Sequence, residues 1–331
     1  MLVKGTESDM ERTIKHVFRL NPAAGKSEGK TDLKTQIEQV CNARGVDFEI
    51  HITSQPGEAT AFVDALCTRE SQTQLRFYAC GGDGTLSETV NGAYGHSNAA
   101  VGVIPVGTGN DFVRNFSGKQ AFLDIDAQLD GQTQMLDLIR YNDRLCVNMI
   151  NIGFDCEVVK RTAKIKRSKL VPPGMGYIAG LVITLLRKPG VKAQISLDGA
   201  PAQKRNMLLT AVANGAWCGG GFHSSPLAHL DDGVLDVLMI KNVSRVRFVS
   251  LVKAYKSGAY IDQPRARRVI DYAKVHTIRY TFAAPQSVCV DGEVIELNEL
   301  ELGAERNALC LIVPRGAAYR PACEPAPVGA C

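Results

Sequence analysis

Three glycine-bearing stretches hold the residues best suited to chemistry: Asn21-Pro22-Ala23-Ala24-Gly25-Lys26, Gly81-Gly82-Asp83-Gly84-Thr85 and Pro105-Val106-Gly107-Thr108-Gly109-Asn110-Asp111. Each follows a short apolar run that reads as a strand. Glycine there lets backbone N–H groups come close to an anion, and the next helix offers its positive N-terminus. Three such loops on one sheet edge point to a polyanion, with a nucleotide triphosphate the leading choice. Neither G-x-x-x-x-G-K-[ST] nor G-x-G-x-x-G occurs in them. Two acidic turns stand apart from these loops. Asp291-Gly292-Glu293 follows a strand-like run and would by itself be a hairpin tip, while residues 229–236 (HLDDGVLD) form an acidic turn before another strand. Residues 160–169 carry Lys160, Arg161, Lys164, Lys166, Arg167 and Lys169, either a solvated face or a patch for anionic headgroups.

The elements that must position these residues come in two rhythms. Over the first 120 residues or so, strands at 14–20, 48–53, 75–80 and 99–105 alternate with helices at 31–43, 58–66 and 86–93. Leu33, Ile37 and Val40 recur at helical spacing in the first helix, and Gly45 stops it. Such alternation predicts an α/β domain, a mostly parallel sheet with helices on both faces. Its ligands belong at the carboxyl ends of the strands. After about residue 135 strands dominate, at 136–141, 145–152, 193–197, 207–213, 235–240, 275–282, 287–290 and 309–313. Turn chemistry such as Asp198-Gly199 separates them, with helices expected only at 175–186 and 246–257. A β-rich, sandwich-like second domain over 136–304 is expected after a first domain over 1–135, to which 305–331 can return. The tail from residue 314 reads as irregular.

Composition excludes several classes. The chain has 331 residues, 45% of them hydrophobic, with 38 Lys plus Arg against 34 Asp plus Glu. That balance is too weak for a nucleic-acid coat, and 6% aromatics with one Trp do not make a stacking platform, so no nucleic-acid partner is expected. The ten cysteines contain no C-x-x-C pair and no His at metal-finger spacing, which predicts free thiols in a reducing cytosol. The first sixteen residues lack the apolar core of a secretion signal. The longest apolar stretch, 177–186, is about half the length a bilayer needs. A cytoplasmic protein without membrane spans is expected.

The motifs, taken together, resemble a known family. Gly81-Gly82-Asp83-Gly84-Thr85-Leu86 is similar to the GGDGT signature shared by diacylglycerol, sphingosine and ceramide kinases and by NAD kinases. Pro105 to Asp111 with Phe112 and Arg114 resembles the P-x-G-T-x-N-D-F-x-R block of the lipid-kinase branch, and Asn21-Pro22 with Gly25 its N-P-x-x-G loop. Residues 148–155 (NMINIGFD), Asp232-Gly233-Val234-Leu235-Asp236 and Asp291-Gly292-Glu293 continue the match in order. The chain is most similar to the soluble bacterial diacylglycerol kinase-like lipid kinases. It departs at Ser87, where the family often has Asn, and at Val113, where it has a small residue.

The resemblance implies a fold, a reaction and its residues. The fold would pair a NAD kinase/phosphofructokinase-like parallel sheet with a β-sandwich-like domain. ATP and Mg²⁺ would be used to phosphorylate a lipid alcohol, diacylglycerol first among them, at a membrane surface to which the protein binds peripherally. NAD kinase chemistry and a non-catalytic nucleotide- or lipid-binding protein are the alternatives, and a homodimer is left open. Asn21, Pro22, Ala23, Ala24, Gly25, Thr53, Gly81, Gly82, Asp83, Gly84, Thr85, Leu86, Ser87, Glu88, Thr108 and Asn110 match nucleotide-contacting positions. Asp83 would hold Mg²⁺ through water, since Mg²⁺ keeps several waters. Glu293 would be the general base that takes the proton of the lipid hydroxyl. A structural Mg²⁺ is implied at the Asp232 carboxylate and the backbone carbonyls of His229 and Val234. Asp111 has two readings, orienting this loop or capping the helix that follows it.

Overall fold

A computed structural model describes residues 13–22, 28–53, 55, 57–167 and 190–319. Three apolar runs with buried cores and a half-buried edge run form the parallel strands β1 (Ile14–Leu20), β3 (Gln74–Gly81), β4 (Ala99–Pro105) and, at the edge, β2 (Asp47–Ile52), ordered β2-β1-β3-β4. Alternation along β1 and β3 feeds two layers. Phe18 and Tyr78 meet Leu33, Ile37 and Cys41 of α1 (Glu28–Arg44) on one face. Val17 and Phe77 meet Val63, Leu66 and Cys67 of α2 (Glu58–Arg69) on the other. The third helix, α3, begins earlier than expected and spans Asp83–Ala93. Only Gly82 therefore lies between β3 and α3, and Asp83, Gly84 and Thr85 form the helix's first turn, where a carboxylate suits the positive dipole end.

His16 on β1 is buried, with Nδ1 2.9 Å from the Tyr78 hydroxyl, and burial pushes its pKa down to about 4. A histidine depressed in the folded state contributes stability above its ordinary pKa and loses it as pH falls through the window from about 6.5 to 4. Urea titrations at pH 7 and pH 4.5 should show the acid loss of stability reduced by about 2 kcal/mol in His16→Gln relative to wild type. An identical acid loss in both proteins would refute this.

The rest of the chain is antiparallel. After β5 (Phe116–Ser117) and α4 (Ile125–Leu129) come β6 (Gln132–Tyr141), β7 (Arg144–Cys146), β8 (Met149–Gly153) and then α5 (Phe154–Arg167). The expected strand at 145–152 is thus two. Helix α5 was not expected, because its basic run masked the apolar positions Phe154 and Val158, which pack into the core. Further on stand β9 (Val191–Leu197), β10 (Gln203–Ala213), β11 (Leu235–Lys241), α6 (Arg245–Ser257), α7 (Pro264–Arg267) and an unforeseen edge strand β12 (Ile270–Val275). Strand β13 (Thr277–Val290) merges two expected strands across a register shift between Thr281 and Gln286. The expected helix at 175–186 lies outside the described residues.

Strand β14 (Glu293–Val313) is 21 residues long and ties the molecule together. Its first half pairs with β13, its second half with β6, and Leu311 stands beside Val101 of β4. One apolar layer lies between the antiparallel strands, around Ile150, Val237 and Tyr280. A second lies between β8, β10 and β11 and the helices α5 and α6. The start of the tail is ordered: β15 (Ala318–Tyr319) pairs with β5, and the Tyr319 hydroxyl accepts from Leu230 N–H at 2.7 Å. Among the described residues eight cysteines are free thiols, and no helix is long and apolar enough to cross a membrane.

Candidate functional site

The order β2-β1-β3-β4 reverses direction at β1, so the crevice between the carboxyl ends of β1 and β3 is a topological switch point, where open α/β sheets take ligands. Asn21 sits in that crevice. Its N–H bonds Cys80 O at 3.2 Å and its Nδ2 donates to Thr85 Oγ1 at 3.0 Å. Thr53, at the end of β2, turns both its N–H and its hydroxyl onto Leu20 O. Ala23, Ala24 and Gly25 lie outside the described residues, and Pro22 is exposed at the preceding turn.

Backbone contact requires the glycines of the other two loops. Gly107 N–H donates to Gly81 O at 3.0 Å, and a Cβ on Gly107 would lie 2.4 Å from Gly82 Cα. A Cβ on Gly81 would lie 2.2 Å from Thr85 Oγ1. Asn110, in the left-handed region at φ 52°, braces the same turn by donating to Pro105 O and Gly107 O at 2.8 Å each. Thr108 is exposed at its tip. The Asp83 carboxylate accepts from the N–H groups of Asp111 and Phe112 at 3.0 and 3.2 Å, which locks the third loop onto the start of α3.

Four predicted residues do structural work in this arrangement. Glu88 accepts from Gly57 N–H at 3.0 Å and faces the buried Arg19 guanidinium at 3.8 Å. Leu86 is buried in the core, Thr85 O accepts from Thr89, and Ser87 O accepts from Asn91. Asp111 does not cap the turn after it with its side chain. Its carboxylate instead crosses to the second domain, accepting from Gly220 N–H at 2.8 Å and from Arg114 Nε at 3.1 Å. Burial, and to a lesser extent the nearby Asp83 charge, pushes the Asp111 carboxyl above the usual range.

Asp83, Gly109 and Asp111 form one rim of a cavity of about 240 Å³. Asn148, Asn151, Asp291 and Gly292 also line it, and Phe154 and Val158 of α5 with Phe248, Val252 and Tyr255 of α6 supply the apolar part of its wall. Sequence reading did not single out Asn148 or Asn151 for this site. Nor did it single out the run Gly219-Gly220-Gly221, although three consecutive glycines, here at φ 58°, 77° and 114°, were a visible cue. Asn148 and Asn151 both line this cavity, and the buried Oδ1 of each has no hydrogen-bond partner.

Asp291 and Gly292 make a two-residue hairpin turn with φ 45° and 93°, the positive values that a right-twisted hairpin favours. The Asp291 carboxylate is partly buried and accepts from Val147, Asn148 and Met149 N–H at 2.7, 3.0 and 3.2 Å, and from Cys146 Sγ–H at 3.1 Å. Glu293 is the next residue, exposed at the start of β14, adjacent to the cavity lining rather than part of it.

The ATP and Mg²⁺ implied by the motifs fit the Asp83–Asp111 rim. Its glycine-tight backbone and the N-terminus of α3 suit phosphates, and a cation beside Asp83 and Asp111 would relieve their mutual repulsion. The Asp232 turn does not fit a resident divalent cation. Asp232 Oδ2 is 2.7 Å from Lys274 Nζ and its Oδ1 accepts from Val234 N–H, so an ammonium already neutralises it. Among the described residues no group of three His, Cys, Asp or Glu side chains could hold a metal. In the basic run, Lys160 is bound to Glu296 and Ser287, and Arg161 to Glu157.

A glycine cradle for phosphates that opens onto an apolar cavity defines a two-domain kinase. Residues 15–141 match the diacylglycerol kinase catalytic domain, and residues 148–313 match the YegS C-terminal NAD kinase beta sandwich-like domain. A diacylglycerol kinase of Staphylococcus epidermidis is 30% identical over 277 residues, 82% of this chain and 84% of that one. A diacylglycerol kinase of Bacillus subtilis is 27% identical over 278 residues, 82% of this chain and 88% of that one. A diacylglycerol kinase structure from Bacillus anthracis shares the fold with a TM-score of 0.64 at 21% identity, covering 93% of this chain and 99% of that one. The chain belongs to the diacylglycerol kinase/YegS-like family of lipid kinases.

Proposed function

We propose that this protein transfers the γ-phosphoryl group of ATP to the hydroxyl of diacylglycerol, forming phosphatidic acid and ADP. One observation carries the reading: a single cavity is lined both by Asp83, Gly109 and Asp111 and by the apolar side chains of α5 and α6. The triphosphate lies along Gly81, Gly82 and the start of α3, with Asn21, Thr53 and Asn110 holding the surrounding loops. Asp83 and Asp111 face the metal that accompanies ATP, and Mg²⁺, when bound, neutralises phosphate charge during transfer. The acyl chains lie against Phe154, Val158, Phe248 and Val252. The lipid oxygen attacks the γ-phosphorus, its proton passes to the Glu293 carboxylate, and ADP leaves.

Radiolabelled ATP offered with diacylglycerol, ceramide, phosphatidylglycerol or NAD tests the acceptor. Label should appear in phosphatidic acid on thin-layer plates; label in NADP, or in no lipid, would overturn the assignment. Asn151, a polar side chain of the same cavity, fits an ester carbonyl of the acceptor, to which its amide N–H can donate. Asn151→Leu is expected to raise KM for diacylglycerol about tenfold with KM for ATP unchanged, the size of one lost polar contact. Equal effects on both constants would remove Asn151 from the acceptor site.

A further inference from the structure

Among the described residues, seven large apolar side chains are strongly exposed, and only Val246 and Val249 belong to one element. Both are on α6, at 83% and 55% exposure. Helical spacing sorts the faces of this helix. Phe248, Val252 and Tyr255 turn inward to line the cavity, while Val246, Val249 and Lys253 run along the outer side and the Lys256 ammonium lies over the Phe222 ring. Residues 242–261 hold Arg245, Arg247, Lys253 and Lys256 and no Asp or Glu. On α5, the described basic side chains Lys160 and Arg161 pair with Glu296 and Glu157.

We infer that the outer face of α6 is the membrane-docking surface, with Val246 and Val249 entering the headgroup layer of an anionic bilayer and the flanking Arg and Lys side chains gripping its phosphates. Shallow insertion of an apolar helix face flanked by basic residues is how interfacial helices bind. Each basic residue near an anionic surface adds to the attraction. The inference rests on the lipid-kinase reading and deepens it. The inner face of the same helix forms the apolar wall, so docking here sets the acyl-chain cavity directly against the layer that holds the substrate. A second copy of this chain is disfavoured as occupant, because two such basic faces repel.

Co-sedimentation of the full chain with sucrose-loaded vesicles tests the surface. Wild type should bind phosphatidylcholine vesicles containing phosphatidylglycerol and bind pure phosphatidylcholine weakly. Val246→Asp with Val249→Asp should lower the bound-to-free ratio on anionic vesicles about tenfold. The same variant should keep wild-type turnover of diacylglycerol dispersed in detergent micelles, which also reports that it folds. Val246→Trp should show a blue-shifted emission on anionic vesicles that brominated acyl chains quench. Unchanged sedimentation of the double variant, an unshifted emission from the Val246→Trp protein, or a change of oligomeric state in its place would overturn the docking surface. Failure of wild type to label any lipid in micelles, with anionic binding and its loss in the variant intact, would sink the acceptor assignment and leave docking standing.

Discussion

Glu293→Gln is expected to lower kcat about 10³-fold while the ATP Kd stays within about twofold, because the amide keeps the size of the side chain but cannot accept the lipid proton. General base catalysis is worth about 10²–10⁴ in rate. The position separates chemistry from folding: Glu293 is exposed at the first residue of β14, so its replacement disturbs no buried contact. The two residues before it, Asp291 and Gly292, line the cavity. Nucleotide titration alongside single-turnover transfer from labelled ATP measures both quantities. Turnover within tenfold of wild type would remove Glu293 from the role of base. Weakened ATP binding with a proportionate loss of rate would make it a nucleotide contact.

Asp291→Ala is expected to destabilise the protein by about 3–5 kcal/mol and to lower Tm by about 10 °C. The carboxylate is partly buried, and its loss of hydration is offset by three backbone N–H donors and the Cys146 thiol. Removing it leaves the N–H groups of Val147, Asn148 and Met149, three buried residues, without an acceptor. It also sets Ala at φ 45°, where a Cβ is strained and Asp or Asn is better tolerated. Asp291→Asn, with one acceptor retained, should lose roughly half as much. Thermal unfolding followed by circular dichroism decides it. A Tm drop under about 3 °C for the alanine variant would show that the 146–149 turn does not depend on this clamp.

These two neighbours show how a short motif divides its labour. Asp-Gly at a strand end reads as a hairpin, and a hairpin is what forms. The same turn also lines the cavity, because Asp291 reaches back to the 146–149 turn and pulls β7 and β8 against it. Sequence distance hides that contact: the two partners are more than 140 positions apart. The Asp111–Gly220 bond, which joins the two domains, was hidden for the same reason.

The amino-acid order alone was enough for the alternation of the first domain, since apolar runs and helical spacing are local properties. It was also enough for the glycine loops, because a backbone that must meet another backbone, as Gly107 meets Gly81 and Gly82, tolerates no side chain. It misplaced elements where local cues conflicted: the basic residues of α5 concealed an amphipathic helix, and Ala283-Ala284-Pro285 looked like a break where β13 continues through a register shift. Which carboxylates confront the cavity, which are neutralised by Lys274 or held by N–H groups, and which face of α6 is left bare were decided only by tertiary packing. Charge state and exposure depend on neighbours brought together by the fold, and β14, crossing from one domain to the other, is what brings them together.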